Sequence, residues 1–371
     1  MNMNNNIALS ICIATLNRAA FIRETLNSII SQATEEVEIV IVDGSINDDT
    51  DDLVKTYRER FPRIRYFHSA KSGYAQDYCK AIELAQGKYC WLFTDDDILK
   101  QGAIQAVMVE MKQEYVLILV NAEVRNTNLS KLLWERCLSS KSNRIYKVED
   151  SERLFVDVAS YISFIGCVVI RRSLWELRDK ELYMGTSFLH VGVIFQALIP
   201  DNTSVISDTY ISIRYGNSLW TSKSFYISLF HWPDLIWSFS KYSESAKRQV
   251  CKREPWRSIK TLLLFRARGA YSVNEYNKYI FQRSHYLPFK FAAWLIARVP
   301  GYLLNLVLIL YFLTFRFLCS KSGMYLVDLE TSNFYYKKCF ERLKHSMQKM
   351  ARKILNYKKI EEGIKSTWVH L

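Results

Sequence analysis

The chain has 371 residues, 49% of them apolar and 23% charged, which is ample for a packed core and excludes disorder over the whole length. Its net charge of +13 is uneven: residues 1–100 carry 11 Lys/Arg against 15 Asp/Glu, residues 101–220 carry 13 of each, and residues 221–371 carry 26 against 9. A mildly acidic front and a strongly basic rear point to two tasks, chemistry on a bound ligand in front and attachment to something anionic behind.

The first 125 residues alternate. A short apolar run at 7–14, rich in branched residues, predicts a buried strand rather than a signal peptide, since MNMNNN before it has no basic residue. Residues 19–32 place Phe21, Ile22, Leu26, Ile29 and Ile30 on one helical stripe, and 38–42 (EIVIV) predict a second buried strand. Thr50 suits an N-cap, with Asp51 and Asp52 in the positive first turn of a helix running to about Phe61. Strands are predicted at 64–67, 89–93 and 115–121, with helices at 74–85 and 98–111 between them. This alternation predicts a doubly wound, mostly parallel α/β sheet. From 125 to 220 the pattern loosens, with strands at 162–170 and 204–215 and a helix at 173–177. Beyond 220 the chain turns aromatic, basic and helical, so a domain boundary is placed near 220. The eight cysteines form no CxxC pair, which excludes a zinc ribbon or thioredoxin motif. Several lie in apolar runs (Cys12, Cys90, Cys167), as reduced cysteines of the cytoplasm do.

Ligands of such sheets bind at the carboxyl ends of the strands. There the sequence places Thr15, Leu16, Asn17 and Arg18 after the first strand, Asp43-Gly44-Ser45 after the second, and Asp95-Asp96-Asp97 after the strand at 89–93. Three adjacent carboxylates repel one another unless a cation is present, and Mg²⁺ or Mn²⁺ with oxygen ligands would leave positions open for phosphate. Asp97 alone reads better as a cap for the helix predicted at 98. Asp43 can accept hydrogen bonds from a pyrimidine or a ribose, although a turn would also use it.

ICIATLNRAAFIRETLNSIISQ, VEIVIVDGSINDDT and KSGYAQDYCKAIELAQGKYCWLFTDDDIL, in unbroken order over residues 7–112, resemble the GT-A family 2 glycosyltransferases. A finer resemblance, reaching about residue 220 through YISFIGCVVIRRSLW and GTSFLHV, is to bacterial O-antigen enzymes of the abequosyltransferase type. The resemblance implies that Thr15, Asn17 and Arg18 line a nucleotide site, that Asp43 contacts the base, and that Asp77 lies near the nucleotide. It implies Asp96 as the metal ligand that holds a diphosphate, with Asp95 beside the ribose. The family's usual Asp-x-Asp-Asp begins here with Thr94, which leaves open whether Asp95 or Asp96 is the principal ligand.

The family's Glu-Asp pair, which provides the catalytic base, has no match in GTSFLHVGVIFQAL. His190 falls at about that place and could deprotonate a sugar hydroxyl, with Asp179 and Glu181 as competitors; a structural histidine is the plainer alternative. Arg214, in a polar turn with Gly216 and Asn217, could clamp a phosphate or the acceptor, or pair with a carboxylate.

In the rear half, 288–319 is strongly apolar, but its most apolar part, 302–315, is too short for a spanning helix of about 20 residues. An in-plane or re-entrant membrane segment is expected there. Residues 333–360 follow with nine Lys/Arg against one Glu among aromatic and aliphatic residues, the pattern of a basic amphipathic helix for anionic lipid headgroups. No nucleic-acid-binding motif is present in the sequence, and nothing in it fixes an oligomeric state.

The expected protein is therefore a peripheral or monotopic enzyme at the cytoplasmic face of the bacterial inner membrane. It would have a glycosyltransferase domain over 1–220 and a helical, membrane-associating region over 221–371. It would move a hexosyl or deoxyhexosyl group from a nucleotide diphosphate sugar to a lipid-linked oligosaccharide in O-antigen or other surface-polysaccharide synthesis. A nucleotidyltransferase would want a Gly-rich basic loop where TLNRAAF stands, and a non-catalytic scaffold with a degenerate fold is the other alternative.

Overall fold

The structure, a computed structural model, describes residues 7–69, 73–217, 223–314, 321–335 and 338. It divides into two compact units, residues 1–255 and 256–371.

The first unit is built on strand–helix repeats: β1 (Leu9–Thr15), α1 (Ala19–Ile30), β2 (Val37–Asp43), α2 (Asp49–Arg60), β3 (Ile64–His68), α3 (Tyr74–Leu84) and β4 (Tyr89–Phe93). After them come β5 (Ile98–Leu99), α4 (Ala103–Met111), β6 (Leu117–Asn126), β7 (Leu132–Trp134) and β8 (Arg144–Tyr146). The sheet is completed by α5 (Ser151–Ile162), β9 (Val168–Arg171), α6 (Arg172–Leu177), α7 (Leu189–Phe195) and β10 (Thr203–Tyr215). The strand order is β3-β2-β1-β4-β9-β6-β10-β5, with β7 on β6 and β8 on β10. The pairs among β1 to β4 and between β6 and β10 are parallel, whereas β9 runs antiparallel to both β4 and β6. The sheet is thus mixed at its centre and mostly parallel elsewhere.

Alternation along the strands splits the core. Leu9, Ile11, Ile13, Ile39, Ile41 and Trp91 face α1, α2 and α4, while Cys12, Val40, Val42 and Leu92 face α3, α5 and α7. Helices on both faces are the doubly wound arrangement that the sequence predicts. All described cysteines are free.

Four expected details differ. The helix predicted from 98 starts at Ala103, because Ile98 and Leu99 pair with β10 and Gly102, at φ +86°, turns the chain into α4. Asp97 therefore caps no helix. Thr50 lies inside α2 with its hydroxyl buried and without a hydrogen-bond partner, and Asp48 occupies the cap position. The strand expected over 162–170 is shortened to β9, because α5 runs to Ile162 and a 3₁₀ turn follows at Ile165–Cys167.

The first unit also runs 35 residues past the boundary expected near 220 (255 against 220). Its last helices are α8 (Ser224–Tyr226), α9 (Trp232–Ser238) and α10 (Glu244–Val250). Phe239 and Tyr242 close over Phe155 of α5, with ring centroids 6.0 and 4.2 Å away, and the Ser243 N–H donates to Glu152 at 2.7 Å. An aromatic cluster cannot be divided between two folding units without exposing it.

The second unit is helical: α11 (Ile259–Ala267), α12 (Val273–Glu275), α13 (Leu287–Arg298), α14 (Gly301–Thr314) and α15 (Ser322–Thr331). Among the described residues no single helix is long and apolar enough to cross a membrane. Residues 315–319 of the predicted apolar segment, and nearly all of the basic helix predicted over 333–360, lie outside the described residues.

Phe155→Ala should lower the stability of the first unit by about 3–5 kcal/mol, because Phe195, Phe239 and Tyr242 all lose their shared partner. Urea unfolding of the full chain measures this. A loss below about 1 kcal/mol would show that residues 223–255 do not share this core.

Candidate active site

The ends of four strands meet at one edge of the sheet. Thr15 lies opposite Asp43, Asp43 opposite His68, and Ile13 opposite Phe93. The loops after β1, β2 and β4 therefore leave the sheet side by side, and residues 80 positions apart in sequence come into contact.

Asp95, Asp96 and Asp97 are all buried. Donors from distant segments offset the repulsion between them. The Thr15 hydroxyl donates to Asp95 Oδ2 at 2.8 Å. Arg18 donates through Nη2 to Asp96 Oδ2 at 2.5 Å, and its Nε lies 3.5 Å from Asp95 Oδ1. Asn217 Nδ2 donates to the same Asp96 oxygen at 2.8 Å. Asp97 is engaged on both oxygens, by the Arg214 backbone N–H at 2.7 Å and by the Thr94 hydroxyl. Thr94, the departure from the family pattern, thus anchors the last carboxylate of the triplet. Burial, then the charge of Asp96, push the Asp97 carboxyl well above the usual range. Burial likewise pushes Asp95 up to about 7, with Asp96 adding to the rise and Arg18 opposing it.

Arg214 binds this loop to the rest of the sheet. Its Nε donates to the Asp96 carbonyl at 2.9 Å, Nη1 to the Thr127 carbonyl at 2.7 Å, and Nη2 to Glu24 at 2.6 Å. Both the Arg214 and Arg18 guanidinium groups lie against the Phe21 ring, 5.2 and 4.9 Å from its centroid. Of the roles open to Arg214 in the sequence, the structure shows pairing with a carboxylate.

Asp43 is fully buried at the end of β2. It accepts from the Ser45 N–H and the Tyr66 hydroxyl, each at 2.9 Å. An ionised carboxylate has about four acceptor positions, so two such bonds leave capacity for a ligand. Asn17 adopts φ +55°, a conformation Asn tolerates, and ties the first loop to the second: its N–H donates to Ser45 Oγ at 2.7 Å. Asp77, in the first turn of α3, is buried beside the second loop, where a Cβ on Gly44 would stand 3.6 Å from its carboxylate.

The candidate bases are placed differently. His190 is 1% exposed, its Nε2 lies 2.7 Å from the Ile162 carbonyl, and burial pushes its pKa down to about 4. Its Nδ1 is buried and has no hydrogen-bond partner among the described residues. The structural alternative noted in the sequence describes its surroundings better. Asp179 and Glu181 are exposed, and the Asp179 carboxylate accepts the Glu181 N–H at 2.9 Å. No described hydrogen bond joins any of the three to the strand-end cluster.

Sequence reading does not find Glu24, Phe21 or Tyr66 as parts of this site. Phe21 reads simply as part of an apolar stripe, Glu24 as a solvated helix residue, and Tyr66 as a strand residue. Only the alternation that places Tyr66 two residues before the β3 end, on the same face as His68, hints at its position.

No described group of three or more His, Cys, Asp and Glu side chains is arranged to hold a metal. Asp95 and Asp96 nevertheless suit a cation that takes its remaining ligands from a substrate. Among the described residues Asp96 Oδ1 receives no hydrogen bond, while both carboxylates already face the Arg18 guanidinium.

Comparison with known proteins gives consistent results. Residues 10–178 match the family model for Glycosyl transferase family 2. The abequosyltransferase RfbV of Salmonella typhimurium is 26% identical over 199 residues, 50% of this chain and 60% of that protein. The glycosyltransferase YibD of Escherichia coli is 32% identical over 95 residues, 26% of this chain and 28% of that protein. These matches span less than two thirds of either relative. In three dimensions, TarS residues 1–349 of S. aureus in complex with UDP-GlcNAc superpose with a TM-score of 0.51. The alignment covers 87% of this chain and 91% of that one at 15% identity, a likeness of fold.

The raised pKa of Asp95 predicts a pH dependence of stability. An Asp that titrates near 7 when folded and near 3.8 when unfolded keeps its proton in the fold where the unfolded chain has lost it. Its contribution therefore weakens stability as pH rises from about 4 to 7. Asp95→Asn should lose part of that decline, with Asp97 supplying the remainder. Urea midpoints at several pH values measure it, and an unchanged slope would remove Asp95 from the account.

Proposed function

We propose that the chain, whose residues 10–178 match the Glycosyl transferase family 2 model, transfers a sugar from a nucleotide diphosphate donor to a lipid-linked saccharide. The observation that carries this reading is the meeting of Asp43 with the Asp95–Asp96 pair at one sheet edge. One end suits a nucleobase and the other a diphosphate.

Asp43 would accept N–H groups of the base on its open lone pairs, held in place by Tyr66 and Ser45. Thr15, Asn17, Arg18 and Asp77 would line the nucleotide, and Asp95 would sit beside the ribose. Asp96, with Asp95, would hold Mg²⁺ or Mn²⁺. When bound, that ion would supply positive charge to the departing diphosphate. Arg18 adds a fixed positive charge against the same carboxylates, and Arg214 keeps their loop in register. A base takes the proton of the acceptor hydroxyl as its oxygen attacks the anomeric carbon and the nucleoside diphosphate leaves. Of the three base candidates, exposed Asp179 and Glu181 fit this role better than enclosed His190.

The TarS complex with UDP-GlcNAc supports a nucleotide-sugar donor. The RfbV match supports an O-antigen or related surface polysaccharide as the product, with a hexosyl or deoxyhexosyl donor. A lipid-linked acceptor would put the enzyme at the cytoplasmic face of the inner membrane, attached through the second unit, residues 256–371.

Asp96→Ala should abolish nearly all transfer while circular dichroism and the urea midpoint show a folded chain. Chelation of divalent ions should do the same to the unaltered protein. Transfer that survives both changes would exclude a cation at this site.

Asp43→Ala should instead raise the donor KM more than it lowers kcat, the pattern for lost uniform binding. An unchanged KM with a collapsed kcat would move Asp43 away from the base.

A further inference from the structure

The second unit exposes an unusual amount of apolar surface. In α14, Gly301, Asn305 and Ile309 form a buried stripe at four-residue spacing. Asn305 fixes that stripe inward, donating through Nδ2 to the Ala267 carbonyl at 3.1 Å and the Leu329 carbonyl at 2.9 Å, at the ends of α11 and α15. The helix cannot roll over to hide its other face. Yet Leu303, Leu306, Val307, Leu310 and Leu313 on that face are 37–58% exposed. A surface helix in water carries polar residues there. Helix α13 repeats the pattern, with Leu287, Phe291 and Leu295 at four-residue spacing and 74%, 64% and 50% exposed.

The surrounding chemistry selects the partner. Between Glu275 and Asp328 the sequence has no carboxylate and six Lys/Arg. Two of the cations lie on aromatic rings, Lys290 4.3 Å from the Phe281 centroid and Arg298 4.3 Å from that of Trp294. Aromatic and basic side chains bordering an apolar stripe are the arrangement of a membrane–water interface. A second copy would bring like charges together around the same stripe. The bend bears on the depth. The chain turns 94° between α13 and α14, so the two described helices do not line up as one continuous span.

Building on the membrane attachment proposed above, we propose that α13 and α14 form a monotopic insertion element that enters one leaflet of an anionic phospholipid membrane by these two apolar stripes. The acceptor's lipid would then lie in the same leaflet as the enzyme.

Co-sedimentation of the full chain with phosphatidylethanolamine/phosphatidylglycerol vesicles tests this, with phosphatidylcholine vesicles as the comparison. Binding should favour the anionic vesicles, persist in high salt and end in detergent. Leu303→Glu with Leu310→Glu should weaken high-salt binding about a hundredfold or more, because each charge opposes burial in hydrocarbon. Circular dichroism and transfer to a water-soluble acceptor should not change. Lys290→Gln with Arg298→Gln should reduce only low-salt binding. Wild-type binding by the double Glu variant would overturn the proposal. So would wild-type protein that stays in the supernatant, or a dimer in light scattering that the Glu pair dissociates. Wild-type protein that transfers sugar but binds no vesicles counts against insertion alone, and wild-type protein that binds vesicles but transfers from no donor counts against the catalytic reading alone.

Discussion

Three adjacent carboxylates buried at the end of one strand are the constraint around which the first unit is arranged. In a medium of low dielectric they repel strongly, and the fold must bring donors to them or keep them protonated. It does both. Asp97 and Asp95 are pushed toward the neutral form, while Thr15, Arg18, Arg214 and Asn217 arrive from the first and last strands of the domain. Strand β10, 13 residues long and irregular in register near Thr209, ends level with β6 and carries Arg214 opposite Arg125 at that end. The cation proposed above would meet carboxylates that these donors already hold in place.

Much of this is legible in the sequence because strand ends carry their chemistry locally. Thr15, Arg18, Asp43, Asp77 and the acidic triplet can be named from apolar runs followed by polar turns, and parallel pairing in register then brings them together. The contributions that stay hidden come from tertiary contact. Glu24 reads as an ordinary helix residue until β10 brings Arg214 to it, and Tyr66 gains its meaning only from Asp43 across the sheet. His190 misleads for the opposite reason. Its position in the sequence suits a base, but a short helix turns it into the core, where α5 supplies a carbonyl for its ring. The late end of the first unit follows the same logic, since composition changes near 220 while the aromatic cluster on Phe155 is closed by side chains at 239 and 242.

The second unit reverses the usual reading of a polar residue in an apolar run. Asn305 looks in sequence like an interruption of a membrane segment. In the structure it is the inward clamp of α14, and the exposed side of the helix carries leucine, valine and tyrosine but no charged residue. Under the membrane attachment proposed above, that apolar outer face is the one that would meet lipid. Such an attachment would keep a soluble sugar nucleotide and a membrane-held acceptor within reach of one site, which fits the contrast in charge between the two halves of the sequence.

The most direct measurement is transfer of radiolabelled sugar from a panel of nucleotide diphosphate sugars to lipid-extractable acceptor in bacterial membranes, with unaltered protein and Asp96→Ala side by side. The account predicts label in the lipid fraction from one donor or a narrow set of donors, dependent on a divalent ion and absent with the variant. No transfer from any donor by a folded, membrane-bound protein, or equal transfer by the variant, would contradict it.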